Sequence, residues 1–143
     1  MDLNRIARRV VSTRPDASAF EASETMLREG IGAIVVLDAG KLVGIISERD
    51  IVGRVVAKRR DAAKTLVSEV MTSDVKTISE DVTPIQALDA MHHGKFRHLP
   101  LVDAAGRVLG MLSMRDLMRY RIGELDLKNA DLLAFISTDG PGG

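Results

Sequence analysis

Two short stretches carry the side chains with the most chemistry to offer. Ser47, Arg49 and Asp50 stand in Gly-Ile-Ile-Ser-Glu-Arg-Asp-Ile (44–51), and Ser113, Arg115 and Asp116 stand in the same frame in Gly-Met-Leu-Ser-Met-Arg-Asp-Leu (110–117). Each lies where a β-rich run gives way to a helical pattern, so a hydroxyl and a carboxylate fall three residues apart at a helix start. Two chemistries fit that spacing. In the first, the hydroxyl accepts from an early helix N–H and the acid reaches back, a cap that contributes about 0.5–2 kcal/mol. In the second, the helix start binds a ligand: its free N–H groups and partial positive charge suit a phosphate, with the Ser hydroxyl and the Arg fork as further donors. The Asp repels phosphate and suits a ribose diol. Phosphate and ribose together describe a nucleotide. Its base would enter an apolar slot between strands, read by backbone groups of segments such as Ile34-Val35 and Leu99-Pro100.

The elements that must position these residues occur twice. An offset of 65 carries Val10 to Val75, Asp16 to Asp81, Ala22 to Ala87, Met26 to Met91 and Asp38 to Asp103. One inserted residue in the 104–106 turn makes the offset 66, which carries Gly44, Ser47, Arg49 and Asp50 to Gly110, Ser113, Arg115 and Asp116. Each copy opens with an extended segment (9–13; 74–78) and a turn. An amphipathic helix follows near 18–29 or 83–94, with Ser18 or Thr83 as N-cap, Pro84 at a first helical position, and Gly30 or Gly94 at the end. Two β-rich runs joined by a hairpin turn come next (33–37 and 42–46; 99–102 and 108–112). A second helix starts at the Ser and runs to about Val55 or Arg121. The predicted fold is α/β, two β-α-β-β-α repeats packed about a pseudo-twofold axis, because a copy of about 60 residues buries too little of its sheet face alone. The boundaries are a first repeat over 5–57, a polar, partly helical linker over 58–70, a second repeat over 71–122, and a helical tail with a frayed end over 123–143.

Two such units, each ending in Gly, two apolar residues and Ser-x-x-Asp, with Phe96-Arg97-His98-Leu99-Pro100-Leu101-Val102-Asp103 in the second, resemble a tandem pair of CBS domains, the module first described in cystathionine β-synthase. The resemblance spans roughly residues 5–122 and implies a stand-alone regulatory protein. Its ligand class would be adenosine compounds such as AMP, ADP, ATP, NAD or S-adenosylmethionine, bound in the cleft between the repeats. Carried over residue by residue, it favours Thr77, Arg97, His98, Ser113 and Asp116. Ser12, Ser47, Arg49 and Asp50 form a second set. The copies differ, since Arg97-His98 and Lys76-Thr77 replace Gly32-Ala33 and Val11-Ser12. The resemblance also implies a homodimer formed through helices, and methionines 111, 114 and 118 with the apolar tail suit such a face. Occupancy would be read out as a change of shape or of affinity for a regulated protein partner, the logic of energy sensing. The alternative is a structural or docking module whose Ser-x-x-Asp motifs act only as helix caps.

Bulk properties narrow the classes. Twenty basic and twenty acidic residues balance, so no global field draws nucleic acid or an anionic membrane. The cluster Lys58-Arg59-Arg60 has no aromatic neighbours on which bases would stack. There is no Cys, which excludes disulfides, thiolate metal sites and a cysteine nucleophile. Adjacent His92 and His93 point about 100° apart on a helix, favouring a helix C-terminal role over metal binding. The sequence has no nucleophile elbow, zincin motif or P-loop. The expectation is a cytoplasmic, non-enzymatic protein that requires no cofactor or metal and has no membrane span.

Overall fold

The computed structural model describes residues 3–128. A short helix, α1 (Leu3–Ile6), leads into β1 (Ser12–Thr13), α2 (Ala19–Glu29), β2 (Ala33–Asp38), β3 (Lys41–Ser47) and α3 (Glu48–Ile51). That last helix widens into a π-helical turn at Val52–Val56, where the Ala57 N–H donates to Val52. A 3-10 turn at Ala62–Lys64 precedes the second series: α4 (Val67–Val70), β4 (Ile78–Ser79), α5 (Pro84–Gly94), β5 (His98–Val102), β6 (Val108–Ser113) and α6 (Met114–Lys128). Residues 123–128 of the predicted tail continue α6, and the rest of it lies outside the described residues.

Local chemistry explains the boundaries. Ser18 Oγ accepts from the Glu21 N–H at 3.0 Å and starts α2, which Gly30 ends in the left-handed conformation at φ 67°. Thr83 and Gln86 close a full capping box at the start of α5, with Pro84 at its first position. The expected stop at Gly94 shifts by one residue. Lys95 takes the left-handed conformation at φ 59°, while a Cβ on Gly94 would lie 2.3 Å from the Phe96 ring. Gly94 is thus small because an aromatic ring lies on it.

Each series builds a three-stranded sheet of order β1-β2-β3 or β4-β5-β6, its first pair parallel and its second antiparallel. The register reproduces the sequence offset. Thr13 opposite Val36 becomes Ile78 opposite Leu101, Val36 opposite Gly44 becomes Leu101 opposite Gly110, and Ala33 opposite Ser47 becomes His98 opposite Ser113. The inserted residue is absorbed in the second hairpin turn, where the Asp103 carboxylate accepts from the Ala105 and Arg107 N–H groups at 2.9 Å.

The apolar side chains gather into two clusters, one per sheet, in place of the shared core expected from sequence. One contains Ala22, Met26, Ile34, Val36 and Ile46, and the other their counterparts Ala87, Met91, Leu99, Leu101 and Leu112. The repeats are joined by exchange. Leu3 of α1, fully buried, completes the second cluster, and Val67 and Val70 of α4 complete the first. The segment predicted as a polar linker thus buries Thr65, Val67 and Val70 while the rest of it stays largely exposed. After each of these helices the chain crosses the other repeat's last strand: Arg8 bridges to Met111, and Thr72 bridges to Ile45. The crossings explain the glycine that opens each motif. A Cβ on Gly110 would lie 2.6 Å from the Arg8 carbonyl oxygen, and one on Gly44 would lie 2.4 Å from Met71 Sδ.

Candidate functional site

The paired motifs sit where β3 meets α3 and where β6 meets α6. At the first junction both halves of a cap are present: Asp50 N–H donates to Ser47 Oγ at 3.1 Å, and Ser47 N–H donates to Asp50 Oδ2 at 3.0 Å. At the second junction only half survives. Asp116 N–H donates to Ser113 Oγ at 3.0 Å, but the carboxylate turns to Arg8, whose Nε donates to Oδ2 at 2.8 Å and Nη2 to Oδ1 at 3.3 Å. The Arg8 guanidinium, first among the causes, holds the Asp116 carboxyl below its ordinary pKa, with the Ser113 hydroxyl helping and partial burial opposing.

The helix starts hold fewer free donors than a bare helix end. The Glu48 N–H donates to the Gly32 carbonyl at 2.9 Å and the Met114 N–H to the Arg97 carbonyl at 2.8 Å. The Asp50 and Asp116 N–H groups are likewise engaged, on the Ser47 and Ser113 hydroxyls.

Two clefts open between the repeats. The larger, about 930 Å³, has Ser113, Met114 and Arg115 on one wall and Arg8, Arg9, Val11 and Ile31 on the other. The smaller, about 590 Å³, has Ser47, Arg49 and Asp50 facing Thr72, Val75, Lys76 and Lys95. Each cleft thus pairs one repeat's motif with the other repeat's lead-in. Gly32, Ala33, Glu48, Arg97 and His98 border both. The pair Arg97-His98 is thus shared by the two clefts. Burial, the largest cause, lowers the His98 pKa below its ordinary 6.5, Arg97 and Arg8 add to that, and the Glu48 and Asp116 carboxylates oppose it. His98 is neutral near pH 7.

The sequence-selected residues divide accordingly. Ser47, Arg49, Asp50 and Leu99 come together in the smaller cleft, Ser113 and Arg115 in the larger, and Arg97 and His98 in both. Asp116 is turned to Arg8 and lines neither. Ile34 and Val35 are buried in β2, where Val35 N–H donates to the Val11 carbonyl and Ile34 pairs with Ile46. Pro100 is buried in β5 opposite Met111. Ser12 and Thr77 are exposed and line neither cleft, although their neighbours Val11 and Lys76 line the larger and the smaller one. The backbone that meets the clefts is one residue earlier than predicted in the first repeat, at Ala33. Sequence reasoning missed Arg8, Arg9, Glu48 and Thr72. Arg8 and Thr72 lie 64 apart, so the offset search came within one residue of matching them, but nothing local says that each crosses the opposite repeat. His93 is exposed, with Nδ1 2.9 Å from the Asp89 carbonyl, and the described residues contain no His, Cys, Asp and Glu cluster able to hold a metal ion.

Two three-stranded repeats with exchanged lead-in helices and paired clefts define a tandem α/β module. The chain belongs to the CBS-domain family, whose model matches residues 2–57 and 67–123. A 17.7 kDa protein of Acidianus ambivalens is 40% identical over 112 residues, which are 78% of this chain and 66% of that protein. A protein of Methanopyrus kandleri is 31% identical over 83% of this chain and 62% of its own length. The chain thus spans somewhat under two thirds of these curated relatives. Among solved structures, a CBS domain protein from Pyrobaculum aerophilum complexed with AMP superposes with a TM-score of 0.74 at 26% identity, covering 81% of this chain and 89% of that one. The CBS domain pair of protein MJ0100, in complex with 5′-methylthioadenosine and S-adenosyl-L-methionine, superposes with a TM-score of 0.78 at 27% identity, covering 87% and 98%. Among the described residues no helix is long and apolar enough to cross a membrane.

Proposed function

We propose that this protein is a regulatory module that binds an adenine nucleotide, of the class AMP, ADP, ATP, NAD or S-adenosylmethionine, in the clefts between its repeats. Occupancy is converted into a change of shape or of affinity for a protein partner, without catalysis. The observation that carries this reading is the smaller cleft. There the Ser47 hydroxyl and Arg49 lie with the Asp50 carboxylate in one cleft that Lys76 and Lys95 of the other repeat also line. The solved relatives complexed with AMP and with S-adenosyl-L-methionine support the ligand class. A ligand bridging the two repeats stabilises the bound state by RT ln(1 + [L]/Kd), about 2.7 kcal/mol at a hundredfold excess over Kd. Exposed Met118 and Ile122 on α6 suit pairing with a second copy, and a monomeric mass by light scattering at micromolar concentration refutes that part.

The complete Ser47–Asp50 capping box favours a second reading, in which the motifs only start helices and the module acts by docking. Thermal-shift and calorimetric titration with AMP, ATP, NAD and S-adenosylmethionine separates the two. Asp50→Asn is the informative variant, because an amide oxygen at this third helical position can still accept from the Ser47 N–H while the charge that favours a ribose diol is lost. A nucleotide-dependent rise in Tm that Asp50→Asn abolishes, with its ligand-free Tm kept within a few degrees, supports nucleotide binding. No response to any of the four ligands refutes it.

A further inference from the structure

Arg8 and Thr72 occupy equivalent places. Each sits on the lead-in segment that crosses the far repeat, bridging to Met111 and Ile45 respectively, and each faces the acid of that repeat's motif. Their chemistry differs. Arg8 covers both oxygens of Asp116, although the two acids are equally buried, Asp116 at 13% and Asp50 at 12% side-chain exposure. Thr72 offers Asp50 one hydroxyl at 3.4 Å. Arg54 Nη1 lies 3.5 Å from the same Asp50 oxygen, but donates to the Val70 and Met71 carbonyls at 2.9 and 3.0 Å. Asp50 therefore faces its cleft without a guanidinium fork across it, and Asp116 does not.

We infer that Arg8 sets the ligand specificity of the larger cleft, withholding Asp116 from any ribose that arrives without a phosphate, while the smaller cleft, with Thr72 in the same place, accepts a neutral nucleoside. This rests on the nucleotide reading above and divides the ligand class between the two clefts. A ribose diol competes for Asp116 with two charge-assisted bonds and has nothing to offer the displaced guanidinium. A phosphate is a rival anion for that fork. It also meets Arg9, Arg97 and Arg115 on the same walls, and Glu29, which holds Arg9 at 2.5 Å, is the one acid there besides Glu48. The larger cleft is thus selective for a nucleoside with an anionic tail.

The test is isothermal titration of the full chain with adenosine and with ADP, on wild type and on Arg8→Thr, which copies Thr72 into the other half. Wild type is expected to take one equivalent of adenosine and two of ADP. Arg8→Thr is expected to take two equivalents of adenosine, its second site tightened by roughly tenfold or more, the scale of losing hydrogen bonds to a charged group. Asp50→Asn in the wild-type background removes the adenosine site and leaves the ADP site in the larger cleft. Two equivalents of adenosine on wild type, one equivalent of ADP on wild type, or one equivalent of adenosine on a folded Arg8→Thr each overturns the inference while leaving nucleotide binding intact. The wild-type comparison alone can overturn the selectivity even if the variant does not fold. No binding of either compound to either protein refutes the nucleotide reading itself.

Discussion

Replacing Gly110 by Ala tests the crossing that joins the two halves. The new Cβ would lie 2.6 Å from the Arg8 carbonyl oxygen and 3.0 Å from Ala7 Cβ. That carbonyl cannot step aside cheaply, since Arg8 both donates to the Met111 carbonyl at 2.9 Å and accepts from the Met111 N–H at 3.0 Å. The counterpart replacement at Gly44 meets a softer neighbour, the Met71 thioether at 2.4 Å, with the Thr72 carbonyl at 3.1 Å. A thioether can rotate where a pinned backbone cannot. Overpacking costs typically about 1–3 kcal/mol, and the reduced freedom of the unfolded chain returns about 0.4–1 kcal/mol in both variants. Gly110→Ala is therefore placed near the top of that range, about 2–3 kcal/mol net, and Gly44→Ala at about 1 kcal/mol or less. At about 2–4 °C per kcal/mol for a chain of this size, the Tm should fall by roughly 8 °C in the first case and by roughly 2 °C in the second. Urea unfolding and thermal melts followed by circular dichroism read both. A Gly110→Ala protein as stable as Gly44→Ala would refute the claim that the lead-in backbone rests against β6 at that point.

Leu3→Ala removes a fully buried side chain from the second cluster and should cost about 2–4 kcal/mol in urea unfolding. The exposed neighbour Arg5→Ala should cost under about 0.5 kcal/mol, and equal effects would show that α1 is not seated. His98 supplies a pH signature. Its folded pKa lies below 6.5, so as pH falls the unfolded chain takes up the proton first. The stability present above pH 6.5 is then lost as pH falls toward the depressed folded value. Urea midpoints at about pH 8 and pH 5.5 should show a smaller acid-side loss in His98→Gln, and an unchanged loss would place the titration elsewhere.

The repeat was legible because two copies in one chain check each other. The offset that carries Val36 to Leu101 and Gly44 to Gly110 also carries one ladder pair onto the other, Val36 opposite Gly44 onto Leu101 opposite Gly110. Ser18, Thr83 and Pro84 announced helix starts through local bonding that needs only three or four residues of context. What failed had partners remote in sequence. The reason Gly44 and Gly110 lack a side chain is a backbone segment from the other half, whereas locally they read as hairpin residues. Val67 and Val70 stood in a charged stretch and looked solvated, yet they close the first core. At the site, the Ser-x-x-Asp spacing located both helix starts correctly. It gave no hint that Asp116 is held by a residue 108 positions earlier.

The exchange of lead-in helices also orders events during synthesis. Residues 9–72 contain everything the first cluster needs in one uninterrupted run, so that half can close as soon as its own last helix is made. The second half is discontinuous: Leu3 and Arg8 must be kept in waiting until β6 and Asp116 exist, and their loop closes late and at high sequence separation. A circularly permuted chain that carries residues 3–8 after α6 would make both halves contiguous. In the natural order, the lead-in that precedes the first half is held back to seal the second.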